Sequence, residues 1–304
     1  MRDVISIHDF SVEEIVDVLD RAEDMVDIAR GEATSDFLRG KVLACAFYEP
    51  STRTRLSFET AMNRLGGGVI GFAGTEATSV VKGETLADTI RMVSGYADAV
   101  VLRHPREGAA KLATEFSSVP IINAGDGAGQ HPTQTMLDLF TIRTEHGRLE
   151  GLTISLVGDL RYGRTVHSLA FALAKFGNTI NLVSPEGLEM PDEVTSHLKS
   201  VGMLGTACHS PEEVISNTDI LYATRIQKER FPDLVEYERV AGLYRVDPEL
   251  LSQGPDGLIV MHPLPRVNEI LPEVDKMPQA KYFDQAFNGV PVRMALLSMV
   301  VGGE

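Results

Sequence analysis

Short apolar runs alternate with amphipathic stretches along nearly the whole chain. "KVLACAFY" precedes the helix-like "STRTRLSFETAMNRLGG", and "ADAVVLRH" and "LTISLVGD" are followed in the same way by helical patterns. Continuous β-rich runs separated by helical patterns are typical of βαβ units, whose parallel strands are buried on both faces. The pattern therefore predicts an α/β fold of doubly wound parallel sheets.

The alternation occurs twice, before about residue 130 and again after about residue 150. A helix predicted from Pro132 to about His146 would join the two halves. We therefore expect two doubly wound parallel-sheet domains joined by helices: 1–145, with 287–304 packing back on it, and 146–286. Open α/β sheets bind ligands at the carboxyl ends of their strands, so the motifs after the apolar runs are the candidate chemistry.

Composition narrows the class of protein. A net charge of -15 over 304 residues argues against a nucleic-acid partner, which would need a basic face. The two cysteines, Cys45 and Cys208, share no CxxC spacing, which favours reduced thiols. Acidic residues interrupt "MRDVISIHDFSVEEI" where a signal peptide would be apolar, and no run approaches the length of a membrane helix. We expect a cytoplasmic protein without a membrane partner.

The segment "EPSTRTRLSFETAMNRLGG" predicts an anion site. Ser51 lies where the N-cap of a helix belongs, and residues 52–55 would form its first turn. Free backbone N–H groups and the positive end of the helix dipole favour an anion there. An arginine at this end is repelled by the dipole, so its presence indicates a bound anion and not a solvated surface. Hydroxyls and the forked guanidinium of Arg53 complete a phosphate cradle. GxxxxGK[ST] is absent, so a nucleoside triphosphate is not implied.

Other catalytic classes lack their signatures. The sequence contains no HExxH, no GxSxG and no clustered Cys/His ligands, so we expect neither a metal nor a cofactor. "GDLRYGRTVHS" follows a buried-strand pattern and opens a helix, but it lacks the GxGxxG of a dinucleotide site.

Seven motifs occur in an order that resembles the aspartate carbamoyltransferase family. They are "STRTR", "VKGETLADT", "LRHP", "HPTQ", "GDLRYGRT", "TRIQKER" and "HPLPR", and the likeness runs from about residue 40 to the C-terminus. The resemblance implies transfer of the carbamoyl group of carbamoyl phosphate to L-aspartate in pyrimidine biosynthesis. It also implies a homotrimer with shared active sites, and it leaves open whether a separate regulatory chain binds.

In the first domain the resemblance implies a carbamoyl phosphate site. The phosphate would be held by four consecutive residues, Ser51, Thr52, Arg53 and Thr54. Arg103 would reach phosphate and carbonyl oxygens, although by itself it is equally typical of a salt bridge. Arg55 is expected to form an ion pair that supports the cradle.

Two further segments complete that half of the implied site. His131 would donate to the carbonyl oxygen and Gln134 would contact the amide nitrogen, although a lone histidine at a helix start is also typical of a cap. Ser79 and Lys82 would reach a neighbouring subunit's site. Only two residues separate them, one fewer than the family usually has.

In the second domain the resemblance implies an aspartate site. Arg164 and Thr165 match contacts to the α-carboxylate, and Arg225 and Gln227 match contacts to the side-chain carboxylate. The carbonyls of Pro263 and Leu264 would accept hydrogen bonds from the substrate, with a cis bond before Pro265.

Two other functions fit these motifs less well. Ornithine carbamoyltransferases share the phosphate half, but they typically show "HCLP" and "SMG", which this chain replaces with "HPLPR" and "TRIQKER". A non-catalytic anion-binding α/β protein would not need the arginines of the second half. Arg225 beside Gln227 favours a dicarboxylate substrate.

Overall fold

The computed structural model describes residues 3–76, 78–127, 129–226 and 244–302. The chain divides into two compact units, which we call unit 1 (1–140 and 287–304) and unit 2 (141–286). The functional domain boundaries expected from the sequence, at 145/146 and 286/287, stay a prediction.

Unit 1 contains a four-stranded parallel sheet. Its strands are β1 (Val42–Phe47), β2 (Gly68–Ala73), β3 (Ala99–His104) and β4 (Ile121–Asp126). They lie in the order β2-β1-β3-β4, and a single parallel bridge joins Val4 to Ile122. Residues of β1, β3 and β4 are mostly buried, as their continuous apolar runs predict, whereas β2 at the sheet edge is largely exposed.

Helices connect these strands. They are α1 (Val12–Asp24), α2 (Val26–Arg30), α3 (Thr52–Arg64), α4 (Leu86–Ser94), α5 (Ala109–Thr114) and α6 (Pro132–His146), with 3₁₀ turns at Ile7–Asp9 and Ser79–Lys82. Helix α1 begins with a capping box between Ser11 and Glu14. Helix α3 buries its predicted apolar positions, including Phe58 and Met62. Gly66 has a φ of 83° just beyond α3, and β2 begins two residues later at Gly68.

Unit 2 contains a five-stranded parallel sheet. Its strands are β5 (Thr153–Val157), β6 (Thr179–Val183), β7 (Leu204–Cys208), β8 (Ile220–Ala223) and β9 (Ile259–Met261). They lie in the order β7-β6-β5-β8-β9. Its helices are α7 (Arg164–Lys175), α8 (Asp192–Ser200) and α9 (Pro248–Leu251), with 3₁₀ turns at Pro211–Glu213, Ile215–Asn217 and Pro272–Lys276. The last helix, α10 (Tyr282–Val301), begins in unit 2, and its residues from 287 onward belong to unit 1.

In each sheet the strand order reverses once. Strand β2 adds on one side of β1 while β3 and β4 add on the other, and β6 and β8 flank β5 in the same way. These switch points, between β1 and β3 and between β5 and β8, are where open parallel sheets place their ligands. The predicted fold class, doubly wound parallel α/β, is confirmed.

None of the helices in the described part of the chain is long and apolar enough to cross a membrane.

Candidate active site

The first candidate segment lies at the start of α3, directly after β1. Ser51 is the N-cap, as predicted, but its side chain makes no capping hydrogen bond, so it does not occupy the backbone N–H groups of the first turn. No acidic residue lies in that turn. The first turn itself therefore adds no negative charge at the positive end of the helix dipole, and the geometry suits an anion.

The two arginines of this turn behave differently. Arg55 Nε lies 2.6 Å from Glu59 Oε1, which confirms the predicted ion pair one turn along the helix. Arg53 is exposed as a residue, yet partial desolvation lowers the pKa of its guanidinium. Thr52 is exposed and Thr54 is buried.

Arg103 lies in β3, paired in register with Phe47 at the end of β1. Its Nη1 donates to the Ala124 carbonyl of β4 at 3.0 Å, and its Nε lies 3.6 Å from Glu49 Oε2. The residue therefore spans the switch point of this sheet, with contacts to the segments at the ends of β1 and β4. The ion pair that was one reading of Arg103 is present, and a bound anion would compete with Glu49 for the guanidinium.

His131 and Gln134 lie at the start of α6. His131 is buried, and its Nε2 lies 3.5 Å from Thr54 Oγ1, so the imidazole meets the first turn of α3. The Gln134 amide donates to Asp138 Oδ1 at 2.9 Å, one turn further along α6. The structure thus brings Thr54 and His131 together from two different strand–helix junctions.

Asp126 holds the turn that leads to His131. Its Oδ1 accepts from the backbone N–H of Gln130 at 2.8 Å and from the Asn123 amide at 3.1 Å, and its Oδ2 accepts from Gly108 N–H at 2.9 Å. Sequence reasoning missed this residue. The available signal was an acid at the end of a buried strand, in "INAGDGAGQHP".

Ser79 and Lys82 lie on the 3₁₀ turn between β2 and α4. Both residues are exposed, and neither side chain forms a hydrogen bond or ion pair with a described residue. The structure does not join them to Thr54 and His131. Their proposed role toward a neighbouring subunit stays a prediction.

In unit 2, Arg164 and Thr165 open α7, which follows β5. The preceding turn is held by Asp159 Oδ1, which accepts from the backbone N–H of Arg161 and Tyr162 at 3.2 and 3.0 Å. His167 Nε2 lies 2.7 Å from the Leu160 carbonyl oxygen on the other side of the turn. A short turn thus delivers an arginine and a hydroxyl to a helix N-terminus, which suits a carboxylate.

Arg225 follows β8, the neighbour of β5 in the sheet. A Cβ atom added at Gly158 would lie 2.5 Å from the Thr224 carbonyl oxygen, and Gly158 has a φ of 123°. Glycine is therefore required where the ends of β5 and β8 approach each other. Gln227, expected to act beside Arg225, lies outside the described residues.

Pro263 and Leu264 follow β9, which lies next to β8 at the edge of the same sheet. The peptide bond before Pro265 is cis, as the resemblance implies, and Leu264 has a φ of 53°. The backbone N–H of Leu264 donates to His262 Nδ1 at 2.8 Å, so the other ring nitrogen of His262 must carry the proton. That Nε2 lies 2.8 Å from Glu269 Oε1, in a fully buried pair.

Glu269 closes this turn from the other side. Its Oε2 accepts from the backbone N–H groups of Val267 and Asn268 at 2.9 and 3.0 Å. Burial opposes ionisation, but the hydrogen bonds from His262 and Val267 outweigh it and lower the pKa of Glu269 to about 2. Sequence reasoning missed Glu269, although an acid seven residues after a histidine in a proline-rich turn was visible.

The described residues contain no group of three or more His, Cys, Asp or Glu side chains arranged to hold a metal ion. What each unit offers instead is helix N-termini, guanidinium groups, hydroxyls and, in unit 1, an imidazole. Such groups bind anions and stabilise negative charge that develops on oxygen.

Comparison with known proteins assigns the chain to a family. Residues 2–144 match the family model described as aspartate/ornithine carbamoyltransferase, carbamoyl-P binding domain. Residues 150–300 match the model described as aspartate/ornithine carbamoyltransferase, Asp/Orn binding domain. Together the two matches cover nearly the whole chain.

Curated relatives and solved structures narrow the assignment. The aspartate carbamoyltransferase catalytic subunit of Archaeoglobus fulgidus is 58% identical over 301 residues, 99% of each chain. The catalytic subunit of M. jannaschii aspartate transcarbamoylase superposes with a TM-score of 0.95 at 53% identity, covering 100% of this chain and 99% of that one. Aspartate transcarbamoylase from Trypanosoma cruzi, bound to N-(phosphonacetyl)-L-aspartic acid, has a TM-score of 0.93 at 40% identity and covers 99% and 96%. The chain belongs to the aspartate carbamoyltransferase family, and it is a carbamoyltransferase.

Proposed function

We propose that unit 1 binds carbamoyl phosphate, that unit 2 binds L-aspartate, and that the chain transfers the carbamoyl group to the aspartate amine in pyrimidine biosynthesis. The observation that carries the proposal is the meeting of His131 Nε2 and Thr54 Oγ1, 3.5 Å apart, at the N-terminus of α3. An anion site and an imidazole that can donate to a carbonyl oxygen are the two features that an acyl phosphate requires.

In unit 1 the phosphate would be held by the first turn of α3. The donors would be the side chains and backbone N–H groups of Ser51, Thr52, Arg53 and Thr54. Arg103 and His131 would donate to the carbonyl oxygen, and Gln134 would contact the amide nitrogen. When the amine attacks, a C–N bond forms, negative charge develops on the carbonyl oxygen, and the C–O bond to phosphate breaks as the amine loses a proton to the departing phosphate. Donors already in place stabilise that charge without reorganisation.

In unit 2 the aspartate carboxylates would be held by two sets of residues. Arg164 and Thr165, at the N-terminus of α7, would bind the α-carboxylate, and Arg225 with Gln227 would bind the side-chain carboxylate. The carbonyls of Pro263 and Leu264 would accept hydrogen bonds from substrate N–H groups. The 38% identical Trypanosoma cruzi enzyme has been solved in complex with carbamoyl phosphate and aspartate, which supports this assignment of substrates.

The deciding experiment offers purified chain carbamoyl phosphate with L-aspartate or with L-ornithine and measures the carbamoylated product and phosphate. We expect product with aspartate alone. Turnover with ornithine would contradict the assignment of Arg225 and Gln227 to a side-chain carboxylate. Phosphate binding without turnover of either amine, by folded protein, would favour the non-catalytic alternative.

We also propose that the chain forms a homotrimer whose subunits share active sites. Five large apolar side chains, in the part of the chain from α3 to just beyond α4, are each at least 41% exposed, which is typical of a surface that another subunit covers. They are Leu56, Ile70, Val81, Met92 and Tyr96. Ser79 and Lys82 lie exposed in the same part of the chain and would contribute to the neighbour's site.

Sharing of sites can be tested by complementation. Lys82→Ala and Arg53→Ala chains should each be inactive alone, and a mixture should regain activity because some hybrid sites then contain both wild-type side chains. Each variant mixed with itself serves as the control. Subunit exchange is verified by mass spectrometry. If the exchanged mixture regains no activity, the shared site is refuted.

A cytoplasmic location and a separate regulatory chain extend the proposal. The free thiol of the buried Cys45 supports a reducing compartment. The archaeal relatives are named catalytic subunits, and co-purification of a tagged chain from its native host would test for a regulatory partner.

A further inference from the structure

Arg293 is a buried cation inside the apolar stretch "VPVRMALL" of α10. The residue is only 3% exposed, and burial lowers the pKa of its guanidinium to about 9, against an opposing effect of Asp138. A Cβ atom at Gly289 would lie 2.2 Å from Nη1, so the glycine one turn earlier is what makes room for the group. Burying a charged group costs free energy. The buried guanidinium of Arg293 therefore calls for a reason, and its contacts show one.

The guanidinium lies against the two helices that carry the phosphate site of unit 1. Its Cζ lies 5.0 Å from the ring centroid of Phe58 in α3, in cation–π geometry. Its Nη2 donates to Thr133 Oγ1 of α6 at 3.3 Å. Thr133 is fully buried and follows His131 by two residues.

A chain of polar contacts leads from Arg293 to the start of α3. Thr133 Oγ1 lies 3.5 Å from His131 Nδ1, and His131 Nε2 lies 3.5 Å from Thr54 Oγ1. The direction of the bond between Arg293 and Thr133 follows from chemistry. A guanidinium can only donate, so the Thr133 oxygen accepts from it, and its single O–H can then donate to His131 Nδ1.

We propose that Arg293, acting through Thr133, is a positioning residue that fixes the tautomer of His131 with its proton on Nε2. A neutral imidazole whose Nδ1 accepts a hydrogen bond must carry its proton on the other nitrogen. That nitrogen is the one that faces Thr54. The proposal rests on the function proposed above, since Nε2–H is then the donor to the carbonyl oxygen of carbamoyl phosphate.

The opposite tautomer would be unsuited to the reaction. With the proton on Nδ1, the Thr133 oxygen would accept from both Arg293 and His131, its O–H would lose His131 as an acceptor, and Nε2 would present a lone pair toward the substrate carbonyl. A lone pair there repels the oxygen on which charge develops. The buried arginine therefore acts on catalysis without touching the substrate.

The test reads the tautomer directly, by ¹H–¹⁵N correlation of the histidine rings in full-length chain, with and without inorganic phosphate. Signals of His131 are identified by their loss in His131→Asn. We expect Nε2 to be protonated and Nδ1 to accept in the wild type. Thr133→Val should give a mixture of tautomers and lower kcat about tenfold or more, with phosphate affinity nearly unchanged.

Three further variants separate this role from simple packing. Thr133→Ser keeps the hydroxyl and should retain both the tautomer and the rate. Thr135→Val is the matched control, because Thr135 is equally buried on the same helix and its hydroxyl has no hydrogen-bond partner among the described residues. Arg293→Met removes the donor and should produce the same mixture as Thr133→Val.

Two outcomes would overturn the proposal. One is a proton on Nδ1 of His131 in the wild type, and the other is an unchanged tautomer in folded Thr133→Val. Both are spectroscopic and need no turnover. A chain that failed to transfer a carbamoyl group would therefore refute the proposed function without deciding the tautomer.

Discussion

Replacing Glu269 by glutamine tests whether one buried carboxylate holds the turn after β9. The carboxylate accepts three hydrogen bonds, from His262 Nε2 and from the backbone N–H groups of Val267 and Asn268. A glutamine amide has one acceptor oxygen and one donor nitrogen, so in either orientation its NH₂ faces a donor. The ring of His262 cannot adapt, because its Nδ1 already accepts from Leu264 N–H.

The expected cost follows from these contacts. One lost hydrogen bond in a buried site costs about 1–3 kcal/mol, and replacing charge-assisted bonds by neutral ones adds roughly 1 kcal/mol. We expect Glu269→Gln to lower the free energy of unfolding by about 2–4 kcal/mol, measured by urea titration at pH 6.5. Glu273→Gln, the same charge change at an exposed position of the same unit, is the control and should stay within about 0.5 kcal/mol.

The pH dependence gives an independent check. Because the folded-state pKa of Glu269 is lowered to about 2 from 4.5, its stabilisation is fully present above about pH 4.5 and is lost as the pH falls toward 2. Linkage predicts that the wild type loses about 0.8 kcal/mol at pH 4.0 through this group, whereas the glutamine variant cannot titrate there. The difference in free energy of unfolding between the wild type and Glu269→Gln should therefore narrow by about 0.8 kcal/mol at pH 4.0.

Substrate binding should also depend on the turn after β9. Since Pro263 and Leu264 are proposed to contact aspartate, Glu269→Gln should raise the KM for aspartate more than the KM for carbamoyl phosphate. The reasoning is refuted if Glu269→Gln is no less stable than Glu273→Gln, or if the stability gap stays constant from pH 6.5 to 4.0.

Three other experiments test two residues of unit 1 and the reactivity of the two thiols. Arg53→Ala should lower kcat/KM on the order of 10²-fold, whereas Arg55→Ala, already ion-paired along its helix, should cost less than tenfold; equal losses would contradict the assignment. His131→Ala should lower kcat by about 10²-fold or more while phosphate affinity, measured by calorimetry, changes little, and a defect in binding alone would argue against a role at the carbonyl. Burial raises the pKa of Cys45 to about 12, so an aromatic disulfide reagent at pH 8 should modify Cys208 first in native protein and both thiols equally in urea.

The sequence predicted the parts of the fold that depend on local pattern. Buried strands such as "VLACAF" are continuous apolar runs, and the rule that parallel sheets bind ligands at their carboxyl ends directed attention to Ser51, Arg103 and His131. Strand β2 was not predicted, because "GVIGFA" is glycine-containing and half exposed and so lacks the signature of a buried strand.

The supporting residues were harder to find from sequence. Arg293 and Thr133 are 160 positions apart, and no local pattern pairs them. A lone arginine in an apolar helix was a visible signal, since buried charge needs a reason, but only the fold shows which group it contacts. Asp126 and Glu269 likewise act through backbone N–H groups, which carry no identity in the sequence.

Because residues 287–304 belong to unit 1, the ribosome synthesises all of unit 2 between the two segments of unit 1. All of unit 2 leaves the exit tunnel before Arg293 can reach Phe58 and Thr133. A nascent chain can therefore fold its second half while the first still lacks the helix that supports His131. A chain that lacked a few turns of α10 would therefore contain both sheets and yet an incomplete form of the proposed phosphate site.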